Sequence, residues 1–134
     1  MQRKLARENA FMLLFEQICK NDETAEEIFT KATEIRQLEY DSYVKGAFFG
    51  AVSNEAIITE TIMSHSKGWK LDRISPVSMA ILRLAVYEML FMEDIPHKVS
   101  INEAVELAKK YDDEKSYSFV NGVLNAVSSS IGIA

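Results

Sequence analysis

The sequence is poor in the residues that interrupt regular structure, and it has a single cysteine. Five glycines and two prolines occur among 134 residues, fewer than an all-β protein with many tight turns would need. Cys19 has no partner for an internal disulfide, and no metal-ligand pattern lies near it. We therefore expect Cys19 to be a small buried hydrophobic residue in a reduced, intracellular protein.

The sequence also has no long hydrophobic run. No stretch approaches the roughly 20 apolar residues that span a bilayer. The apolar segment 10–15 follows basic residues, as in a signal peptide, but Glu8 and Asn9 precede it. It is also shorter than the hydrophobic region of a typical signal peptide, and no small-residue cleavage site follows it. We therefore expect a cytoplasmic protein that does not enter a membrane.

Positive charge is in deficit over the whole chain but is concentrated at its start. The net charge is −5, which does not by itself attract nucleic acid. Residues 1–7, however, carry three basic side chains and no acid, whereas residues 21–40 carry six acids and two basic side chains. Such an asymmetry can place a cationic patch on an acidic body.

Apolar residues recur at three- and four-residue steps along most of the chain, which predicts amphipathic helices. We expect helices at 3–19, after Thr24, at 41–65, from Ser75, at 100–111 and at 116–130. Six to seven helices with short connections predict an all-α helical bundle. We expect one domain over 1–134, with an N-terminal half 1–66 and a C-terminal half 74–134 joined by a connector.

Local patterns support several of these helix starts. Ser75 is followed by a proline, a combination that favours the first turn of a helix. Thr24 with Glu27, and Ser100 with Glu103, have the three-residue spacing of a capping box. The sequence therefore predicts that a side chain accepts a free backbone amide at each of these three positions.

Three features of the interior are also predicted. Ile35 continues the buried stripe of the second helix. Gly46 and Gly50 lie four residues apart on the third predicted helix, which favours close packing of another helix against them. Glu88 lies near the apolar face of its helix, and we expect it to be a structural carboxylate paired with Arg83.

No pattern in the sequence indicates catalysis. His65 and His97 each stand without a Cys, Asp or Glu in a recognisable metal-ligand signature, and we expect His97 on a surface loop. There is no glycine-rich phosphate loop, no GxSxG and no CxxC. We therefore expect a protein that is not an enzyme and that holds no cofactor or metal.

A series of linked motifs in the second half of the chain resembles the NusB family of transcription antitermination factors. The motifs are RISPV at 73–77, AILRLAVYE at 80–88, DIPHKV at 94–99, INEAVELAK at 101–109 and FVNGVL at 119–124. The basic start, Arg3-Lys4 followed by Arg7-Glu8, also resembles the arginine-rich start of that family. The resemblance covers nearly the whole chain and is clearest after residue 73.

The resemblance implies a fold, a function and partners. It implies an all-α protein of six to seven helices in two small packed helical bundles. Such a protein binds the boxA element of nascent ribosomal RNA transcripts together with a small ribosomal protein, NusE. That pair helps RNA polymerase to resist premature termination, and no catalysis is involved. Two alternatives stay open: a protein-interaction module that forms homodimers, and a stand-alone relative of the helical domain of certain RNA cytosine methyltransferases.

The resemblance also implies a set of site residues. The positions implied for RNA binding are Arg3, Lys4, Arg7, Phe15, Lys115, Ser116, Ser118 and Phe119. Lys115 stands where some relatives have an acid, which would strengthen the attraction to phosphate. Ser78 stands where an acidic residue of some relatives contacts the protein partner, so we expect it at that interface. Single-stranded RNA is held by cations along its phosphates and by aromatic rings that stack on its bases.

Overall fold

The computed structural model describes residues 1–131, and in that range the regular elements are all helical. The seven α-helices are α1 (Arg3–Cys19), α2 (Ala25–Thr30), α3 (Ser42–Ser53), α4 (Glu55–Ser64), α5 (Pro76–Phe91), α6 (His97–Tyr111) and α7 (Glu114–Ile131). A turn of π-helix, Lys31–Ile35, continues α2, and a short 3-10 helix, Leu71–Arg73, precedes α5. The all-α prediction is confirmed.

Helix α5 lies at the centre of the fold because its sequence is apolar on most of its circumference. It packs against α1, α3, α4, α6 and α7. The buried side chains of the described residues form one continuous core that extends from α1 to α7. Helices α6 and α7 also pack on each other. Since α1 and α7 both pack on α5, this central helix holds the surface residues of both in place.

The short-range signals for helix starts are correct in two cases and wrong in a third. Thr24 and Glu27 form the capping box that the sequence predicts, and the hydroxyl of Ser75 accepts the amide of Ser78. Helix α6, however, begins at His97, directly after Pro96. Ser100 therefore lies inside the helix, and the predicted capping box with Glu103 does not form.

The predicted helix 41–65 is divided at Asn54 into α3 and α4. The side-chain amide of Asn54 donates to the carbonyl of Gly50, 2.8 Å away, where it competes with the regular helical pattern. Gly50 faces the ring of Tyr87, as close packing requires, whereas the space around Gly46 is open. The packing prediction is thus confirmed for Gly50 and wrong for Gly46.

Three predictions about burial are wrong. Cys19 is exposed at the end of α1, and Ile35 is 73% exposed at the end of the π-helical turn. His97 is buried at the start of α6, where its Nδ1 lies 2.9 Å from the hydroxyl of Ser128. None of the helices within residues 1–131 is long and apolar enough to cross a membrane.

Candidate nucleic-acid interface

The start of α1 places two basic side chains at the surface. Residues 1–5 are all exposed. The guanidinium of Arg3 lies over the ring of Tyr43, 4.4 Å from its centroid, which orients the charge by a cation–π contact. The ammonium of Lys4 is 3.8 Å from the carboxylate of Glu103, and the Lys4 side chain is 74% exposed. Both cations are accessible to a phosphate.

Arg7 lies in the interior, which corrects its expected place among the RNA-contacting residues. Only 7% of Arg7 is exposed. Its guanidinium donates two hydrogen bonds to the carboxylate of Glu88, with Nε 2.8 Å from Oε2 and Nη2 3.3 Å from Oε1. The expected pair of Glu88 with Arg83 is also wrong, because Arg83 binds Glu55 instead. Arg7 thus holds α1 against α5.

Glu88 is the centre of a buried polar cluster that joins four helices. Besides Arg7 of α1, it accepts hydrogen bonds from the hydroxyl of Tyr43 in α3 and from that of Ser100 in α6, the latter at 2.7 Å. Burial works against the charged guanidinium, but hydrogen bonding and attraction by Glu88 outweigh it and raise the pKa of Arg7. Burial, followed by the charge of Glu88, raises the pKa of Tyr43. The cluster therefore stays ionised at Arg7 and neutral at Tyr43.

A groove of about 530 Å³ runs between α1 and α6 and carries charges of both signs. Its lining includes Lys4, Glu8, Glu103, Glu106, Lys109 and Lys110. Glu8 accepts hydrogen bonds from the ammonium of Lys110 at 2.6 Å and from the hydroxyl of Tyr111 at 2.7 Å. The lysines at the end of α6 therefore lie on the same groove as Lys4, although the sequence analysis did not single them out.

We predict that the interaction of Glu8 with Lys110 and Tyr111 of α6 weakens in acid. The hydrogen bonds from Lys110 and Tyr111 lower the pKa of Glu8 below its ordinary value of 4.5. A carboxylate with a lowered pKa stabilises the fold above its unfolded pKa, and this contribution is lost as the pH falls through the folded pKa. Urea denaturation should therefore show wild type to be more stable than Glu8→Gln at pH 7, with the difference vanishing well below pH 4.5. A difference in unfolding free energy between wild type and Glu8→Gln that persists in acid would contradict this prediction.

Phe15 lies on a different part of α1 from Arg3 and Lys4. It is half-buried and packs against Phe11, which in turn contacts the ring of Tyr111, 5.1 Å away. It lines a second groove with Met12, Cys19 and Arg36. The structure thus leaves an edge of Phe15 accessible but does not bring it into the groove that holds Lys4.

The start of α7 brings together four of the predicted residues. Asp113 begins the helix, because its carboxylate accepts the amide of Ser116 at 2.9 Å, and this bond lowers the pKa of Asp113. Lys115 and Ser118 are exposed, while Ser116 and Phe119 are half-buried. The ring of Phe119 packs against that of Trp69, with centroids 4.8 Å apart.

Ser78 is not at the surface, which corrects its expected place at a protein interface. It is 2% exposed, and its hydroxyl donates to Oδ2 of Asp112 at 3.0 Å. The hydroxyl of Ser75 donates to the same oxygen at the same distance. These bonds tie the start of α5 to the turn between α6 and α7, so Ser78 acts inside the fold.

Six of the predicted residues thus form two accessible groups, with the end of α6 between them. The first group is Arg3 and Lys4, and the second is Lys115, Ser116, Ser118 and Phe119. The ammonium of Lys109 lies 5.4 Å from the ring centroid of Tyr117 in α7, while Lys110 binds Glu8 of α1. The end of α6 therefore contacts both helices that carry the predicted RNA-binding residues.

Comparison with known proteins gives a consistent result. A model of the NusB family matches residues 4–129. The transcription antitermination protein NusB of Clostridium botulinum strain Alaska E43 is 46% identical over 131 residues, which cover 95% of this chain and 98% of that protein.

Solved structures agree with the sequence comparison. NusB of T. maritima is 36% identical and superimposes with a TM-score of 0.84 over 96% of this chain and 92% of its own. A chain from a complex of antitermination factors NusB and NusE with double-stranded RNA is 32% identical, with a TM-score of 0.84 and 96% coverage of both chains. This chain therefore belongs to the NusB family.

Proposed function

We propose that this chain is a transcription antitermination factor that binds boxA RNA together with NusE in the RNA polymerase antitermination complex. The observation that carries the proposal is the match over nearly the full length of NusB proteins, one of which is known in complex with NusE and RNA. The protein acts by binding, without catalysis, and it acts in the cytoplasm, where nascent bacterial transcripts are made.

The RNA-binding surface that we propose combines the two accessible groups with the end of α6. Arg3, Lys4 and Lys115 supply exposed positive charge, and Phe119 supplies an aromatic ring. Lys109 and Lys110 extend the positive charge between the two groups, although carboxylates of Glu106 and Glu8 now bind them. A phosphate can replace such exposed partners at little cost, because surface ion pairs contribute about 0–1 kcal/mol.

Arg7 has a different role in this proposal. Its guanidinium is held by Glu88 in the core, so it fixes the position of α1 and does not contact the phosphate backbone. The cations at Arg3 and Lys4 precede it by one turn of the same helix. Their placement relative to α5 and α6 therefore depends on the buried ion pair.

The two alternative functions have less support. The similarity extends over 98% of the Clostridium botulinum NusB, so it is a similarity to a whole NusB protein and not to one domain of a methyltransferase. A homodimer formed through the same surface would compete with RNA. Sedimentation with and without a boxA RNA tests this, since a stable dimer that RNA does not dissociate would favour the self-associating module.

The surface cations are expected to set the salt dependence of RNA binding. Each phosphate contact on a single strand contributes a slope of about −0.7 in log Kobs against log salt. Contacts from Arg3, Lys4 and Lys115 alone would give a slope of roughly −2, and each lysine of α6 that exchanges its carboxylate for a phosphate would add about −0.7. The double variant Lys4→Ala/Lys115→Ala should reduce its magnitude by about 1.4, measured by fluorescence anisotropy of a labelled boxA RNA, with and without NusE.

A charge-matched control separates contacts from net charge. Lys31 and Lys98 are also exposed but lie in the π-helical turn after α2 and at the start of α6. The variant Lys31→Ala/Lys98→Ala loses the same two charges and is expected to keep the wild-type slope. Equal slopes for both double variants would contradict the proposed surface.

A further inference from the structure

Trp69 is the single tryptophan of the chain, and it lies at the surface beside one of the predicted RNA-binding residues. It belongs to the connector before α5 and is 47% exposed. Its ring packs against Phe119 with centroids 4.8 Å apart and planes inclined by 45°. Nothing in the helical pattern singles out this residue, because it lies outside every helix.

The connector holds Trp69 in place through its own backbone. The amide of Trp69 donates to the carbonyl of Ser66 at 2.8 Å, and the buried hydroxyl of Ser66 donates to Ile62 at the end of α4. Gly68 has a φ of +78°, a conformation that glycine adopts without steric cost. Ile74, which is buried, fixes the other end of the connector. The indole ring is therefore positioned before any ligand binds.

The surroundings of the ring favour a nucleotide whose base lies against the aromatic pair. A pocket of about 260 Å³ is lined by Trp69, Phe119 and residues at the starts of α5 and α7. Its lining includes the carboxylates of Asp112 and Asp113, which repel a phosphate, and the basic side chains of Arg73 and Lys115, which attract one. A neutral base can occupy such a mixed lining beside the two rings, while the cations attract the phosphates of the same strand.

We propose that Trp69 and Phe119 together form a stacking site for one unpaired base of a single-stranded RNA. The proposal rests on the proposed function and adds to it a residue that neither the family motifs nor the charge pattern identify. Lys67 and Lys70 lie two residues before and one residue after Trp69, and both are exposed, so the same connector offers two cations to the RNA backbone. The site extends the Lys115–Phe119 group across α7 to the connector.

The protein itself carries the reporter for a test. Because Trp69 is the only tryptophan, its emission reports on this position alone when no partner protein is present. Titration with an unlabelled single-stranded boxA RNA should quench or shift the emission. The change should saturate at the same RNA concentration as the anisotropy of a fluorescein-labelled copy, whereas a duplex of the same sequence should change the emission little.

Variants at Trp69 give the second readout. Stacking of a base on an aromatic side chain is lost on alanine substitution, so Trp69→Ala should weaken binding of the single strand about tenfold. Trp69→Phe keeps an aromatic face and should bind with intermediate affinity. The matched control is Phe91→Ala, since Phe91 is 44% exposed and pairs with Tyr87 in the same way. Phe91 lies 13 residues beyond Ser78 on α5, about 20 Å along the helix from the pocket, so its loss should leave RNA binding unchanged.

The outcomes separate the site from the function. If the RNA binds but the emission of Trp69 is unchanged and Trp69→Ala binds as wild type does, the stacking site is wrong and the proposed function stands. If Trp69→Ala weakens binding of NusE and not of RNA, the aromatic pair is a protein contact, and the inference is again overturned. If wild type binds boxA RNA neither alone nor with NusE, both proposals fail.

Discussion

Replacing Glu88 with alanine is expected to lower the free energy of unfolding by about 3–5 kcal/mol. The change removes a carboxylate that is 1% exposed and leaves the guanidinium of Arg7 as a buried charge without its partner. It also removes the acceptor of the Tyr43 and Ser100 hydroxyls. Since domains are stable by about 5–15 kcal/mol, a large part of the total would be lost. Urea denaturation followed by far-UV circular dichroism measures the effect.

Two comparisons make this prediction specific. Glu106→Ala removes the partner of Lys109 from an ion pair that is exposed on both sides, and it should cost less than about 1 kcal/mol. The double variant Arg7→Met/Glu88→Leu removes the unpaired buried charge and should recover part of the lost stability, while the hydroxyls of Tyr43 and Ser100 stay without their acceptor. A Glu88→Ala variant as stable as Glu106→Ala would show that the cluster does not hold the helices together.

The double variant also tests the role of Arg7. If Arg7 only positions α1, Arg7→Met/Glu88→Leu should bind boxA RNA with the wild-type salt slope once it is folded. If Arg7 leaves the core to contact a phosphate, the magnitude of the slope should fall by about 0.7. The same variant therefore separates a structural role from an RNA contact.

Gly50→Ala is expected to destabilise the protein by about 1–3 kcal/mol through overpacking. A Cβ at this position would lie 2.5–2.6 Å from two ring carbons and the hydroxyl oxygen of Tyr87, and an aromatic ring cannot yield as the tip of a flexible chain can. α3 would have to move away from α5. Gly46→Ala, on the same helix but with no atom within 4 Å, should instead be stabilising by roughly 0.5–1 kcal/mol. Thermal denaturation of the two variants compares them directly.

A second substitution identifies the obstacle. Tyr87→Phe removes the hydroxyl oxygen but keeps two ring carbons 2.5 and 2.6 Å from the new methyl group, so it should rescue Gly50→Ala at most in part. Tyr87→Ala removes the ring, and the cost of Gly50→Ala should largely disappear in that background. An undiminished cost there would place the strain elsewhere.

Much of the fold follows from short-range patterns. The predicted helix 3–19 coincides with α1, and the Thr24 capping box and the Ser75 start form as expected. These signals act within a few residues, so they need no knowledge of the tertiary structure. The Ser100 pattern fails because its hydroxyl binds Glu88, a partner on another helix, while the helix has already begun after Pro96.

The positions of the site residues depend on tertiary contacts that short-range sequence patterns do not reveal. Arg3 and Arg7 belong to the same basic segment of the sequence. Only Arg7, however, binds a carboxylate in the core, that of Glu88, which is 81 positions away. Ser78 is buried because Asp112 reaches it from the turn before α7. Trp69 follows no helical period. The one sequence feature that points to an exposed aromatic site is an isolated tryptophan between Lys67 and Lys70 on a polar connector. Such pairings become visible only when the helices are assembled.

The carboxylates of Asp112 and Asp113 determine how an anion meets this end of the molecule. Asp112, in the turn before α7, lies in space beside the first turn of α5, where the hydroxyls of Ser75 and Ser78 bind it. Asp113 caps the beginning of α7. The N-terminus of a helix carries a partial positive charge that would otherwise attract phosphate. Here both helix dipoles are already neutralised by the chain itself. An RNA strand that passes the pocket is therefore guided by side chains alone, which makes its binding sensitive to single substitutions.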